Sequence, residues 1–337
     1  MLQEQLHDQV CKNRLRVEEW LLTERAQSYF PVYSSYDVRD SGHKVVCVDA
    51  NIFPAGFNNI CQVDKDNAPD LVSEYLTKHY GQNIQRIVIL TEEHTKNSYY
   101  WENVNTLTTL IEQSGREVRI AVPKDDFEQM PVETVFGKTL TVWSGRIVDG
   151  NLILPDFSPD LIINNNDFSE PHEGWASRLQ TRLNPPRELG WYNRKKSRFF
   201  ANYNQLAADF AQLIDIDPWA LQVKTDLFSE FDVNNPDSLQ RLADHVAAFM
   251  STLRDNYKAH GISEEPFVFI KNNAGTYGLG VTAVRSANEV LEWNYKSRKK
   301  MKAAKGGGGF EEVIIQEGVR SILQADGATA EPTLYLI

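Results

Sequence analysis

Three glycines stand close together in Phe267-Val-Phe-Ile-Lys271-Asn-Asn-Ala-Gly275-Thr276-Tyr277-Gly278-Leu-Gly280-Val281. Glycine lets backbone N–H groups turn inward and approach phosphate oxygens, and Thr276 adds a hydroxyl donor. Lys271, at the end of the preceding apolar run, brings a positive charge to the same anion. The loop lacks the G-x-x-x-x-G-K-[ST] spacing, and a strand rather than a helix follows it, so it is neither a P-loop nor a dinucleotide fingerprint. A glycine loop joining two strands is a different phosphate-covering device. An ordinary hairpin, with Lys271 merely solvating a strand end, is the other reading of the same residues.

Further along, Val313-Ile-Ile-Gln316-Glu317-Gly318-Val319 runs from an apolar strand into a polar, glycine-containing segment. Backbone at such a break can present one carbonyl and one N–H to an adenine edge. A plain strand-to-loop transition explains it too. Two amide-rich loops leave other apolar runs: Asn51-Ile-Phe-Pro-Ala-Gly-Phe-Asn58-Asn59 and Asn164-Asn165-Asn166-Asp167. Asn and Asp are also ordinary turn and capping residues. Arg178, Arg182 and Arg187 follow the second loop and could clamp a carboxylate bidentately; a solvated helix face accounts for them equally. Basic residues at 296, 298, 299, 300, 302 and 305 precede Gly306–Gly309, which reads as a solvated loop able to close over a nucleotide.

These residues need elements to hold them. In the first half, apolar strands alternate with helical stretches: strand 44–49, helix 70–80 stopped by Gly81, strand 86–91, helix 98–113, strand 118–122, then strand 161–163. Such alternation predicts a parallel sheet covered on both faces. Asp149-Gly150-Asn151 marks a hairpin between 146–148 and 152–154. The first 28 residues form an amphipathic helix by the spacing of Leu6, Val10, Leu15, Val17, Leu21 and Leu22. In the second half, helices over 205–214 and 236–260 precede strands at 267–270, 281–284 and 313–316, with a helix at 287–293. The predicted division is a first α/β domain over 1–185 and a second domain over 186–337, separated near Pro185-Pro186.

Composition bounds the function. The 337 residues, 42% hydrophobic, are enough for two domains with sizeable cores. A net charge of -11 disfavours nucleic acid as a partner. The apolar runs are strand-length, far short of a membrane helix of roughly 20 residues. Cys11, Cys47 and Cys61 form no C-x-x-C pair, and no signal peptide opens the chain, so the expectation is a cytoplasmic protein with reduced thiols. Oligomeric state is not legible.

The order strand, lysine, glycine loop, strand, helix, strand, polar hinge resembles the ATP-grasp ligases. The wording F-I-K-N-N-A-G-T-Y-G-L-G-V and V-I-I-Q-E-G-V, together with residues 49–60 and 189–200, resembles the proteobacterial glutamate–cysteine ligase family that uses this fold. The resemblance spans about residue 10 to the end. It implies a Rossmann-like pre-ATP-grasp substrate domain followed by an ATP-grasp nucleotide-binding domain. It also implies ATP and Mg2+ as cofactors, with glutamate and cysteine as small-molecule substrates and γ-glutamylcysteine as product. Placed on this chain, the phosphates fall to Lys271, to the loop residues Gly275, Thr276, Tyr277, Gly278 and Gly280, and to a second lysine, Lys224, with Lys195 and Lys196 as rivals. The adenine falls to Gln316, Glu317, Gly318 and Val319. The amino acids fall to Asn51, Asn58, Asn59, Asn164, Asn166, Arg178 and Arg182.

One departure stands out. The family's fold carries magnesium on carboxylates and an asparagine after the hinge, whereas here only Asp326 and Glu331 follow Val319, in no D…E-x-N arrangement. The sequence reading therefore places the metal ligands beyond Ile337 and the second domain as C-terminally incomplete. The alternatives are a glutathione synthetase-like or other ATP-grasp amino-acid ligase, and a nucleotide-binding module without catalysis.

Overall fold

The computed structural model describes residues 2–93, 96–274, 280–302 and 311–337. It is a mixed α/β protein whose chain divides into two compact units. The first comprises Met1–Ser28, Asp37–Asp49 and Asn193–Thr333, the second Tyr29–Tyr36, Ala50–Tyr192 and Leu334–Ile337. This differs from a single cut near residue 185. The opening residues form two helices, α1 (Leu2–Lys12) and α2 (Arg14–Ala26), rather than one. Val17, Leu6, Val10 and Leu21 from these helices cluster with Ile214, Ile216 and Ala220, and that apolar contact draws the N-terminus into the first unit.

Two strands follow, β1 (Ser34–Asp40) and β2 (Val45–Asn51), joined by a turn in which Ser41 N–H donates to Lys44 O at 2.9 Å. β1 reads S-S-Y-D-V-R-D, and nothing in that pattern announces a strand.

The second unit holds α3 (Gln62–Tyr80), β3 (Arg86–Leu90), α4 (Ser98–Gln113), β4 (Glu117–Val122), β5 (Gln129–Glu133), β6 (Thr139–Ser144), β7 (Arg146–Val148), β8 (Asn151–Ile153), β9 (Leu161–Asn164), α5 (Glu173–Ala176) and β10 (Leu183–Asn184). Helix α3 starts eight residues before Asp70, runs through Pro69, and ends at Gly81, whose φ of 82° suits only glycine comfortably. Helix α4 has the predicted span because Asn97 caps it, accepting from Tyr100 N–H at 3.1 Å. The six-stranded sheet has the order β10-β9-β3-β4-β6-β5. Its pairings are parallel except β5–β6. Ile87 and Ile89 pack with Leu76 and Leu110 from α3 and α4, while Val88, Leu90 and Ile162 pack with Phe157, Phe168 and Trp175. Both faces are thus covered, as near-continuous apolar strands require.

The rest of the first unit is α6 (Lys196–Leu213), β11 (Thr225–Phe228), α7 (Pro236–Ala259), β12 (Val268–Asn272), β13 (Val281–Val284), α8 (Ala287–Leu291), α9 (Tyr295–Lys302), β14 (Val313–Glu317), β15 (Gln324–Ala325) and β16 (Ala328–Thr329), and the last strand, β17 (Thr333–Leu336), falls mostly in the second unit. Strands β11-β14-β12-β13 form an antiparallel sheet. Leu242, Val246 and Phe249 of α7 cover Val268, Ile270, Val313 and Ile315. Alternation then turns Phe269, Lys271, Ile314 and Gln316 to the other face, where Ile314 meets Val46 and Val48 of β2. In the order β17-β1-β2, β1 is the central strand. The basic stretch read as a loop is helical over Tyr295–Lys302; residues 303–310, including Lys305 and Gly306–Gly309, lie outside the described residues. No helix among the described residues is long and apolar enough to cross a membrane.

Candidate functional site

Lys271 stands on the face of the first unit's antiparallel sheet that β2 covers, only 9% exposed. Its Nζ donates to Val48 O at 3.1 Å, and Gln316 Nε2 donates to the same carbonyl at 3.1 Å. Burial pushes the Lys271 ammonium down to about 8, with Lys196 and Arg39 adding to the effect and Asp49 and Glu331 opposing it. The base of the glycine loop is closed by Asn272 N–H donating to Gly280 O at 2.9 Å, and Gly280 takes a φ of 63°. Gly275, Thr276, Tyr277 and Gly278 lie outside the described residues.

A second lysine converges on this place, and it is Lys196. Its Nζ is 2.6 Å from Asp49 Oδ1. The backbone explains why: Lys196 N–H donates to Asn273 O at 2.7 Å, and Ser197 N–H to Asn273 Oδ1 at 2.9 Å. Asn273 therefore satisfies the first donors of α6 and ties that helix end to the foot of the glycine loop. Lys224, preferred from sequence, is turned elsewhere, its Nζ lying 5.7 Å from the centre of the Phe249 ring on α7. Lys195 pairs with Glu312 at 3.4 Å. Periodicity alone does not separate these three lysines; the capping by Asn273 does.

Carboxylates from β1 and β2, Asp37 and Asp49, act on Lys271, far from the end of the chain, beyond which the sequence reading placed the metal ligands. Burial disfavours the ionised form of Asp49, but Lys196, Lys271 and Arg194 outweigh it and hold the carboxyl below its usual range. Asp37 goes the other way: burial raises it, Asp49 and Glu331 add to that, and Lys271 and a hydrogen bond from Thr333 oppose it. Thr333 Oγ1 donates to Asp37 Oδ1 at 2.9 Å. Among the described residues no three His, Cys, Asp or Glu side chains are grouped to hold a metal. Two carboxylates completed by a nucleotide's phosphates are the usual arrangement for magnesium, so Asp37 and Asp49 fit that ion. The sequence carried a signal, Asp37…Asp49-Ala-Asn51, but it precedes the hinge rather than following it.

At the hinge, Glu317 N–H donates to Lys224 O at 2.8 Å and Gly318 N–H to Phe267 O at 2.8 Å, so these donors are engaged in the sheet. Val319 O accepts from Arg39 Nη1 at 3.0 Å. Arg39 also forms a bidentate pair with Glu331 at 3.0 and 2.8 Å, and its guanidinium lies 5.4 Å from the centre of the Phe269 ring. Gln316 Oε1 is buried without a hydrogen-bond partner, an acceptor that an exocyclic amine could use. Gly318 has no room for a side chain, because a Cβ there would lie 2.4 Å from the Phe267 ring. Gly318→Ala is expected to displace that ring and cost about 1–3 kcal/mol in a urea unfolding titration. The cost should shrink in a Phe267→Leu background.

In the second unit, the carboxyl ends of β3 and β9 meet where the sheet order reverses, a usual position for a ligand crevice. The amides expected to bind substrate there are used internally. Asn164 Nδ2 donates to Pro185 O at 3.1 Å, Asn166 Nδ2 donates to Thr91 O at 3.0 Å, and both side-chain oxygens accept backbone N–H groups. Asn165 and Asn103 pin the 51–60 loop, through Pro54 O and the N–H groups of Gly56 and Phe57. Asn58 Nδ2 donates to Asn59 Oδ1 at 2.9 Å, while Asn51 and Asn58 are half-buried and Asn59 is exposed. Arg182 lies at the other, amino end of the sheet, where Arg182 O accepts from Ile162 N–H and its guanidinium is 5.8 Å from the centre of the Tyr80 ring. Arg178 pairs loosely with Asp125 at 3.5 Å, and Arg187 with Glu173 at 2.6 Å. Sequence reasoning missed Glu92, buried beside this edge, whose Oε1 accepts from Asp167 N–H at 2.9 Å, and Glu93, paired with Lys124.

Comparison with known proteins bears on this geometry. The family model described as glutamate-cysteine ligase matches residues 7–337. The crystal structure of a candidate gamma-glutamylcysteine synthetase from Methylobacillus flagellatus KT is similar with a TM-score of 0.87 and 34% identity, over 98% of this chain and 78% of that one. A D-alanyl-alanine synthetase A from Vibrio cholerae O1 biovar eltor str. N16961 matches 74% of this chain and 66% of its own at 10% identity and a TM-score of 0.33, too low to carry an argument. No curated protein matches significantly.

Proposed function

The chain belongs to the glutamate–cysteine ligase family, and on that premise we propose that its first unit holds ATP as an ATP-grasp enzyme does, with Lys271 and Lys196 on the phosphates. Ligation of glutamate to cysteine is the activity that membership carries. In the proposed course, a γ-carboxylate oxygen of glutamate attacks the γ-phosphorus of ATP, and ADP leaves. The resulting acyl phosphate is then attacked by the cysteine amine, which forms the amide, releases phosphate and loses a proton.

The observation that carries this reading is the convergence of Lys271 and Lys196 on Asp49 beside the base of the glycine loop. Phosphoryl transfer asks the protein mainly to position groups and neutralise charge. Lys271 and Lys196 supply positive charge without reorganisation, since each is already held by a hydrogen bond or ion pair. Asp37 and Asp49 would hold magnesium, which neutralises charge on the phosphates when bound. Phe269 and Val319 would flank the adenine, and Gln316 Oε1 would accept from its amine. The amino acids would bind at the carboxyl edge of the second unit's sheet, where the carboxylates of Glu92 and Glu93 would attract an α-ammonium group by charge, as amides cannot.

A non-catalytic nucleotide module drew its support from the absence of metal carboxylates after the hinge. Asp37 and Asp49 beside Lys271 weaken that argument. The test is phosphate release from ATP with Mg2+ present, measured with glutamate alone, cysteine alone and both, with the product identified by mass. Release that needs both amino acids is expected. Release driven by another pair overturns the substrate assignment, and ATP binding without turnover under any pair favours the module.

A further inference from the structure

The first unit buries another ammonium–carboxylate pair, away from Lys271 and unused by the chemistry above. Lys44 Nζ lies 2.8 Å from Glu317 Oε2, and the two side chains are 4% and 0% exposed. The ammonium also donates to Gln222 O at 3.1 Å and stands 4.2 Å from the centre of the Trp219 ring. Trp219 is itself stacked with His260, centroids 3.8 Å apart. Glu317 Oε2 accepts a further bond from Lys224 N–H at 3.0 Å. So dry a pair is a poor way to gain stability, because desolvation of both charges offsets most of their attraction. Its place in the chain suggests another use.

Lys44 closes the turn at the head of β2, and Glu317 is the last residue of β14. Four residues beyond Lys44 along β2 is Val48, whose carbonyl accepts from both Lys271 and Gln316. Asp49, the partner of Lys196, comes next. A strand advances roughly 3.3 Å per residue, so a slip of β2 by one residue would carry Val48 O and Asp49 out of hydrogen-bond reach of both lysines. The backbone hydrogen bonds of the antiparallel sheet hold β14 against β12, whereas β2 belongs to another sheet and meets this face through side chains, Lys271, Gln316 and Ile314 at its far end and Glu317 at Lys44.

We propose that the Lys44–Glu317 pair is a clamp that fixes β2 against the nucleotide face, making Lys44 a positioning residue for Asp49 and Lys271 in phosphoryl transfer. This rests on the nucleotide reading given above. The clamp acts through distance and register rather than by touching the substrate.

Lys44→Met in the full chain is expected to lower kcat/KM for ATP about 100-fold, with KM for glutamate and cysteine changed less than about twofold. Lys44→Arg keeps the charge and should recover much of the loss. Lys44→Met alone strands a buried carboxylate and lowers the unfolding temperature. The double variant Lys44→Met/Glu317→Leu removes that penalty, so its unfolding temperature should return towards wild type while kcat/KM stays low. Recovery of kcat/KM together with thermal stability in the double variant would mean the pair only supports folding, and overturns the clamp. Unchanged kinetics in Lys44→Met overturns it as well. A wild-type protein that takes up no ATP in a calorimetric titration, or a Lys271→Ala variant with full activity, would remove the nucleotide reading. An inactive Lys271→Ala beside an unaffected Lys44→Met removes the clamp alone.

Discussion

Lys271→Ala is expected to lower kcat/KM for ATP by about 1,000-fold, the upper range for losing one preorganised group that stabilises developing charge. The effect should be this large because the ammonium is aimed by Val48 O and sheltered from water, where a charge acts more strongly than at a surface. The same burial predicts a pH dependence. The protonated form attracts the phosphates, and its value of about 8 lies in reach of ordinary buffers. As pH rises through about 8 the free protein loses this charge, so ATP affinity should fall by up to about tenfold per pH unit above it. Fold stability runs in the opposite sense. The folded value is depressed from 10.5 to about 8, so the unfolded chain binds more protons between these limits and stability rises with pH across that window. Calorimetric ATP titrations from neutral to alkaline pH check the first and urea unfolding over the same range the second, each repeated on Lys271→Arg. A pH-independent affinity in the wild type would contradict the assignment of Lys271 to the phosphates.

The second large effect is expected at Asp49. Asp49→Asn keeps the shape and removes the charge that Lys196 and Lys271 share. Lys196 is left buried with its ammonium against a neutral amide, and the candidate magnesium site keeps only Asp37. Catalytic efficiency should fall about 100-fold, with the half-saturating magnesium concentration raised, because electrostatic stabilisation and the cation are lost together. Removing one partner of a fully buried pair costs about 3–5 kcal/mol; Asp49 is part-open to water, so about 2 kcal/mol is expected in a urea titration. If magnesium dependence is unchanged in Asp49→Asn while activity falls, the carboxylate orients Lys196 and does not hold the ion.

Much of the secondary structure could be read locally. Helix α4 and the β7–β8 hairpin fall where a capping Asn97 and the Asp149-Gly150 pair put them, since both signals act within a few residues. The boundaries that moved had no such marker. α3 extends eight residues upstream through Pro69, and α6 begins at Lys196, where its cap is supplied by Asn273 from the turn after β12. β1 stayed hidden because its polar residues become a strand only when β2 and β17 lie beside them.

The candidate site divides along the same line. The sequence by itself determined that a glycine loop and Lys271 end an apolar strand, and that a polar hinge follows, because strand periodicity and glycine freedom are local properties of the chain. It also carried the wording of the ligase family. Tertiary structure alone decided which second lysine meets Lys271, that Asp37 and Asp49 of the early strands face it, and that Asn164 and Asn166 spend their amides on the backbone. These are meetings between residues far apart in the chain. Which partner wins is settled by burial, where an unpaired charge or amide is costly, and spacing along a sequence does not encode that contest.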